Sequence, residues 1–266
     1  ETWDSLRIMH SNSSEEHHNV VGNAAPVIVR STGRLIVPFN RNNEETWITY
    51  SDDEGETWAT PKIMPHLQES AWSWIGLGPP AGLQLASGRL LIPGYHADFW
   101  PDNSTSLGSG FTKGHTLISD DDGETWEIGC RRFGEPYFAN EDQAVQLADG
   151  RVVVNSRTLS DHRALSYSSD EGETFDQVLQ APSLHQTFQG CEGSFINIPQ
   201  DDGSDRLYYS GVQGRLPARI YRENLTIWES LDGGESFHLN TIVTLGSSAY
   251  SSLVAVPRGS DTLGIL

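Results

Sequence analysis

Apolar and polar residues alternate along this chain in short runs, and no stretch carries the three-to-four-residue period of an amphipathic helix. Five segments double back around a bend of Gly, Asp or Ser: PVIVRSTGRLIVPFN from residue 26, GLQLASGRLLIPGY from 82, AVQLADGRVVVNSR from 144, FINIPQDDGSDRLYYSG from 195 and LVAVPRGSDTLGIL from 253. Each predicts a β-hairpin. Between them stand single β-rich runs, TWITY, HTLI, RALSY and NLTIW, and each leads into nearly the same acidic turn.

That turn reads SDDEGETW at 51, SDDDGETW at 119, SSDEGETF at 168 and SLDGGESF at 230, and all four fit S-x-D-x-G-x-[TS]-[WF]. Its fixed residues are Ser51, Asp53, Gly55 and Trp58; Ser119, Asp121, Gly123 and Trp126; Ser168, Asp170, Gly172 and Phe175; Ser230, Asp232, Gly234 and Phe237. Each residue type serves folding. The glycine takes a backbone conformation that side chains resist, the Ser and Asp oxygens accept turn N–H groups, and the aromatic opens the returning strand and packs inward. The chain opens on Glu1, Thr2 and Trp3, the tail of the same motif, so a fifth copy is expected to be cut at the N-terminus.

Hairpin, loop, motif hairpin, loop makes four antiparallel strands per repeat, with unequal gaps between copies. This predicts an all-β propeller with radial blades. One domain spans 1–266, with the tail of one blade, four full blades and the inner half of another. Complete closure is expected to need residues beyond both ends.

Composition narrows the partners. The 36 acidic residues against 17 basic ones give a net charge of −19, which argues against nucleic acid or an anionic membrane held by a general field. No apolar run approaches the ~20 residues of a membrane-spanning helix. Cys130 and Cys191 fit one bridge or two buried thiols equally well. Sequons at Asn12, Asn103 and Asn224 would be surface glycosylation sites in a secretory protein, and with the acidic pI they lean towards a secretory or extracellular setting.

Metal chemistry finds little purchase. With Gly123 in the sixth place of a calcium loop, Ile118 falls at position one and Gly129 at position twelve, where a carboxylate is required. The His17–His18 pair lacks clustered partners and reads as a solvated loop. GLGPPAG, from 76, is no dinucleotide loop, since its prolines and hairpin context open no helix. No cofactor is implied; a structural calcium ion stays open.

Strand direction locates the functional face. If the acidic turn joins strands three and four of each blade at the bottom, residues that start strand one, end strand two or start strand three share the top rim. The polar residues there are Glu141, Arg157, Arg222 and Tyr250. Asn40, Arg41, Tyr95, His96 and Tyr137 are further rim candidates, read by default as loop residues.

The repeated acidic turns together with NEDQAVQLADGRVVVNSR, YRENLTI and GSSAYSSL resemble the exo-α-sialidases, in the order found in the cellular and bacterial enzymes. The resemblance covers essentially the whole chain and implies a six-bladed propeller that removes terminal sialic acids from glycoproteins, glycolipids or oligosaccharides. It implies that Arg157 and Arg222 are two of three arginines gripping the sialic acid carboxylate, with Arg219 the rival to Arg222. A planar guanidinium suits this, giving paired charge-assisted bonds without losing its charge. It also implies that Tyr250 is the nucleophile and Glu141 the base that takes its proton. An anionic nucleophile would be repelled by the carboxylate on the anomeric carbon of sialic acid, and a neutral phenol avoids that.

The family's first arginine, its acid/base aspartate and its last-blade glutamate match no segment here; Asp4 immediately follows the cut acidic turn and Asp52 lies inside a bottom-face one, so they do not replace them. The chain alone is therefore expected to be inactive. GLGPPAGLQL departs from the family's G-P-G-x-x-x-Q-L by Pro80. The alternatives are a propeller that binds sialoglycans or proteins without cleaving them, and a trans-sialidase. Lysosomal, cell-surface and secreted settings all fit the resemblance, and the oligomeric state is open.

Overall fold

The computed structural model describes residues 5–12, 19–99, 111–215, 220–256 and 262–266. Every sheet is antiparallel and almost every pairing is between sequence neighbours. The first blade pairs Val21–Gly22 and Val27–Ile28 with Leu35–Arg41, then Glu45–Ser51 and Lys62–Ile63. The second pairs Trp72–Leu77 and Leu83–Gln84 with Leu90–Asp98, then Lys113–Ser119 and Glu127–Ile128. Asn140–Gln146, Val152–Arg157, His162–Ser168 and Gln177–His185 form the third; Gly193–Asn197, Leu207–Val212, Glu223–Ser230 and His238–Ser247 form the fourth. Leu253–Ala255 and Leu263–Ile265 pair as the first hairpin of a fifth. The predicted four blades and following half-blade are present, while Glu1–Trp3 lie outside the described residues. Among those residues no helix is long and apolar enough to cross a membrane.

The core lies between blades and follows from the two-residue period of a strand. In the third blade Val152 and Val154 pack with Leu91 and Ile118 of the second, whereas Val153 packs with Phe195, Tyr209 and Trp228 of the fourth. The second blade divides likewise, with Leu90 and Ile92 against Val27 and Ile36 of the first and Leu91 against the third. Strands buried on both faces explain why hairpin runs such as RVVVN are apolar without interruption.

In each acidic turn the Ser hydroxyl donates to the Asp carboxylate and receives the Gly amide, while the Asp receives the amide of the Thr or Ser that precedes the aromatic. At 119 these distances are 2.9, 3.0 and 2.8 Å; at 168 they are 2.8, 2.9 and 2.8 Å. The turn glycines have φ of +86° to +96°, as expected. Trp126 and Phe237 are buried, whereas Trp58 and Phe175 are only half-buried. The two cysteines are free and buried, so they do not bridge each other.

Registers set the two faces. Val152 pairs with Ser168 at the acidic-turn end of the third blade, and Asn140 pairs with Arg157 at the other. The turns and the rim residues therefore occupy opposite ends.

Candidate active site

The site is built from strand ends. Glu141 and Asp142 form a bulge between Asn140 and Gln143 in the third blade's first strand, and Arg157 ends the second. Arg222 immediately precedes the fourth blade's third strand, and Tyr250 lies in the short connection to the fifth. Glu141 has φ +39° and Tyr250 φ +58°, a region that residues with a Cβ occupy only when their surroundings impose it.

The four side chains converge. The Tyr250 hydroxyl donates to Glu141 Oε1. Glu141 Oε2 accepts Arg157 Nη1 at 2.6 Å, with both partners largely shielded from water. The Arg222 guanidinium stands 5.7 Å from the centre of the Tyr250 ring, on the exposed side. Arg157 is braced by its Nε–H to the Gln189 carbonyl at 3.0 Å. The adjacent Gly190, φ +70°, comes so close that a Cβ there would lie 2.6 Å from Arg157 Cγ. Arg219 lies outside the described residues.

Electrostatics match the geometry. Tyr250 as a whole is exposed, but desolvation around its hydroxyl, with the neighbouring Glu141 carboxylate, raises the phenol well above its ordinary value, so the resting group is neutral. Burial works against the Arg157 charge, but Glu141 outweighs it and the net direction is up. The resting site is thus a neutral phenol donating to a carboxylate that a permanent cation holds.

The other rim candidates are mainly strand residues, not loop residues. Asn40 is buried in the first blade, where its side-chain oxygen receives the Leu77 amide at 2.7 Å and ties two blades together. Arg41 packs over Trp47 and faces Glu45 at 3.7 Å. His96 is stacked on Trp72 with ring centres 3.9 Å apart, and its Nδ1 meets His115 Nδ1 at 3.2 Å. Tyr95 is buried with its hydroxyl on Asn23 at 3.1 Å and feels the charges of Glu141 and Arg157. Tyr137 lies half-buried in a turn closed by its amide to Gly134. In the GLGPP stretch Gly78 abuts the Asp142 carbonyl, which would lie 1.7 Å from a Cβ at that position.

Asn224 is half-buried, with its amide donating to the Gly214 carbonyl at 3.3 Å, and the sequon's Thr226 is buried. Asn12 is half-buried, while Asn103, Asp4, His17 and His18 lie outside the described residues. No group of three or more His, Cys, Asp or Glu able to hold a metal occurs among the described residues.

Sequence reasoning missed the layer beneath. Asp142 and Glu192 are buried carboxyl groups; burial raises Asp142 to about 7 and Glu192 to about 8, against the opposing pull of Arg163 on both. Arg163 itself is fully buried, with its Nε–H on Asn155 Oδ1 at 2.7 Å, its Nη1–H on the Cys191 carbonyl at 2.8 Å, and Tyr209 beneath it at 5.1 Å. The only clue was charge inside otherwise apolar strand runs, as in RALSY.

A tyrosine, a glutamate and two arginines now stand together on a propeller rim, and a model of the BNR repeat-like domain matches residues 1–263. The chain belongs to this family. The curated relatives it matches are sialidases. Mouse Sialidase-3 is 29% identical over 221 residues, covering 74% of this chain and 51% of that protein. Among solved structures, a Hadza microbial sialidase superposes with a TM-score of 0.78 at 24% identity, covering 99% of this chain and 54% of that one. The intramolecular trans-sialidase from Ruminococcus gnavus follows at TM-score 0.63 and 27% identity, covering 79% and 43%. The chain spans about half the length of the curated relatives it matches.

Proposed function

We propose that the full-length protein is an exo-α-sialidase that hydrolyses terminal sialic acids through a covalent tyrosyl intermediate, in a secretory-pathway, lysosomal, cell-surface or extracellular setting. The observation carrying this reading is the hydrogen bond from the Tyr250 hydroxyl to Glu141, whose other oxygen is held by Arg157.

Arg157 and Arg222 bind the substrate carboxylate and seat the anomeric carbon over Tyr250. Glu141 takes the phenolic proton as the Tyr250 oxygen bonds to that carbon, and the glycosidic oxygen departs with its electron pair and takes a proton from the acid/base aspartate that the resemblance calls for. Water then replaces the tyrosyl oxygen, giving up a proton to that same aspartate while the tyrosyl oxygen recovers its own from Glu141, and two inversions leave the configuration retained. A phenol is kept neutral until attack, so the substrate carboxylate meets no standing negative charge on the nucleophile. The rim is also compatible with transfer to an acceptor other than water.

On the same reading, residues 1–266 by themselves turn over no sialoside, because the resemblance calls for a third arginine and an acid/base aspartate that match no segment of this sequence. In the full-length protein, Tyr250→Phe should all but abolish turnover of a fluorogenic sialoside, and Glu141→Gln should lower kcat by about 10²- to 10⁴-fold. Both variants should unfold at the wild-type temperature. Unchanged turnover in Tyr250→Phe would remove the nucleophile assignment.

A further inference from the structure

Tyr250 sits in a connection that has little regular structure of its own to hold it, yet its backbone is in the left-handed region. Its shape must come from what it leans on. The amides of residues 250 to 253 are accounted for one by one. Tyr250 N–H faces the Cys191 sulfur; Ser251 N–H donates to Glu192 Oε2 at 2.8 Å; Ser252 N–H donates to the Leu266 carbonyl at 3.0 Å; Leu253 N–H donates to Ser194 Oγ at 2.9 Å. Three of these four acceptors lie in Cys191–Ser194, the run that opens the fourth blade. Ser210, on the next strand of that blade, adds a hydroxyl contact to Ser251 at 2.8 Å.

We propose that Glu192 is a positioning residue for the nucleophile: by accepting the Ser251 amide it clamps the Tyr250–Leu253 segment onto the fourth blade and aims the Tyr250 hydroxyl at Glu141. The inference rests on Tyr250 being the nucleophile. Glu192 is almost fully buried, and its Oε1 has no hydrogen-bond partner among the described residues. The clamp is anchored from below, since the fully buried Arg163 holds the Cys191 carbonyl. Glu192 does not touch substrate; it acts through the backbone beside Tyr250.

Burial raises Glu192 to about 8, so at neutral pH it carries its proton. The acceptor that Ser251 needs is then a neutral carbonyl-type oxygen, which an amide side chain also supplies. A glutamine should therefore serve, and a side chain of similar volume with no oxygen should not.

The test uses the full-length protein and its Glu192→Met and Glu192→Gln variants, each assayed for kcat and KM on a fluorogenic sialoside and for amide hydrogen exchange in residues 248–253. Glu192→Met should lower kcat by about 10- to 100-fold with KM nearly unchanged, because a nucleophile displaced by an ångström is a transition-state loss. It should also speed exchange in that segment, while Glu192→Gln keeps both readouts near wild type. Wild-type exchange and kcat in Glu192→Met would overturn the clamp, as would a Gln variant as impaired as Met. If Glu192→Met does not fold, Glu192→Asp decides: its carboxyl is withdrawn by one methylene, so a lower kcat with faster exchange supports the clamp and full kcat overturns it. A wild type without turnover would refute the sialidase reading alone, and the exchange data would still decide the clamp.

Discussion

At the scale of single residues, the site works by separating charge from neutrality. Arg157 and Glu141 stay paired, Tyr250 stays neutral beside them, and below them Glu192 keeps a proton that an exposed glutamate would lose. Glu192 has consequences for stability. Its ordinary value is 4.5 and its folded value about 8, so between those values the unfolded chain releases a proton that the folded chain keeps. Its contribution is fully present below about pH 4.5, declines as pH rises through this window, and levels off above about pH 8. Glu192→Gln lacks this dependence, so its thermal midpoint relative to wild type should climb from pH 5 to pH 8. Midpoints running parallel across that range would show that Glu192 is ionised when folded. The meeting of Tyr250, Glu141, Arg157 and Arg222 on one rim was legible in the sequence because each is a chemically distinctive side chain at a strand end. Glu192 was not, because its partner is the amide of Ser251, 59 positions away, and CEGS carries no sign of that pairing.

Among the elements, the acidic turn is both a strand connector and a wedge between blades. Its Ser, Asp and Gly roles followed from residue type alone, but its tertiary contacts did not. Arg34 holds Asp52 of its own blade's turn at 2.7 Å and Glu124 of the next blade's turn at 2.6 Å. Arg89 repeats this with Asp120 at 2.7 Å and Glu173 at 2.8 Å. The densest acidic string in the chain, DDD at 120–122, therefore serves packing: Asp120 takes Arg89, Asp121 caps the turn, and Asp122 accepts the Ser31 hydroxyl at 2.8 Å. Gly123 fills the same seam. Its φ is +87°, and a Cβ there would lie 2.1 Å from Ile36 Cδ1 in the first blade. Gly150 has φ +92° and open space around it. Both Gly→Ala variants should lose about 1 kcal/mol to the backbone. Gly123→Ala should lose a further ~1–3 kcal/mol to the collision between blades. Urea unfolding of the two measures the difference, and equal losses would mean that Ile36 moves aside freely.

Across the whole molecule, the radial repeat turns distant sequence into one rim. Glu141 and Arg157 come from the third blade, Arg222 from the fourth and Tyr250 from the connection to the fifth, so the site forms only when these blades are seated side by side. Blade number and strand order were readable because hairpins and acidic turns alternate regularly. The interruption of the inner strands in the first two blades was not, and neither was the placement of Asn40, Tyr95 and His96 inside strands. Those positions are polar, as a loop would be, but the top ends of propeller strands bury polar residues by tying one blade to the next, as Asn40 does to Leu77.

The proposed chemistry turns on a covalent bond between Tyr250 and the sugar. Peptide mass spectrometry of the full-length protein after reaction with 2,3-difluorosialic acid, which slows breakdown of the glycosyl-enzyme, looks for that bond itself. One added sugar is expected, located on Tyr250, and none in Tyr250→Phe. A sugar found on Glu141 or another carboxylate, or the same adduct in Tyr250→Phe, would contradict a tyrosine nucleophile.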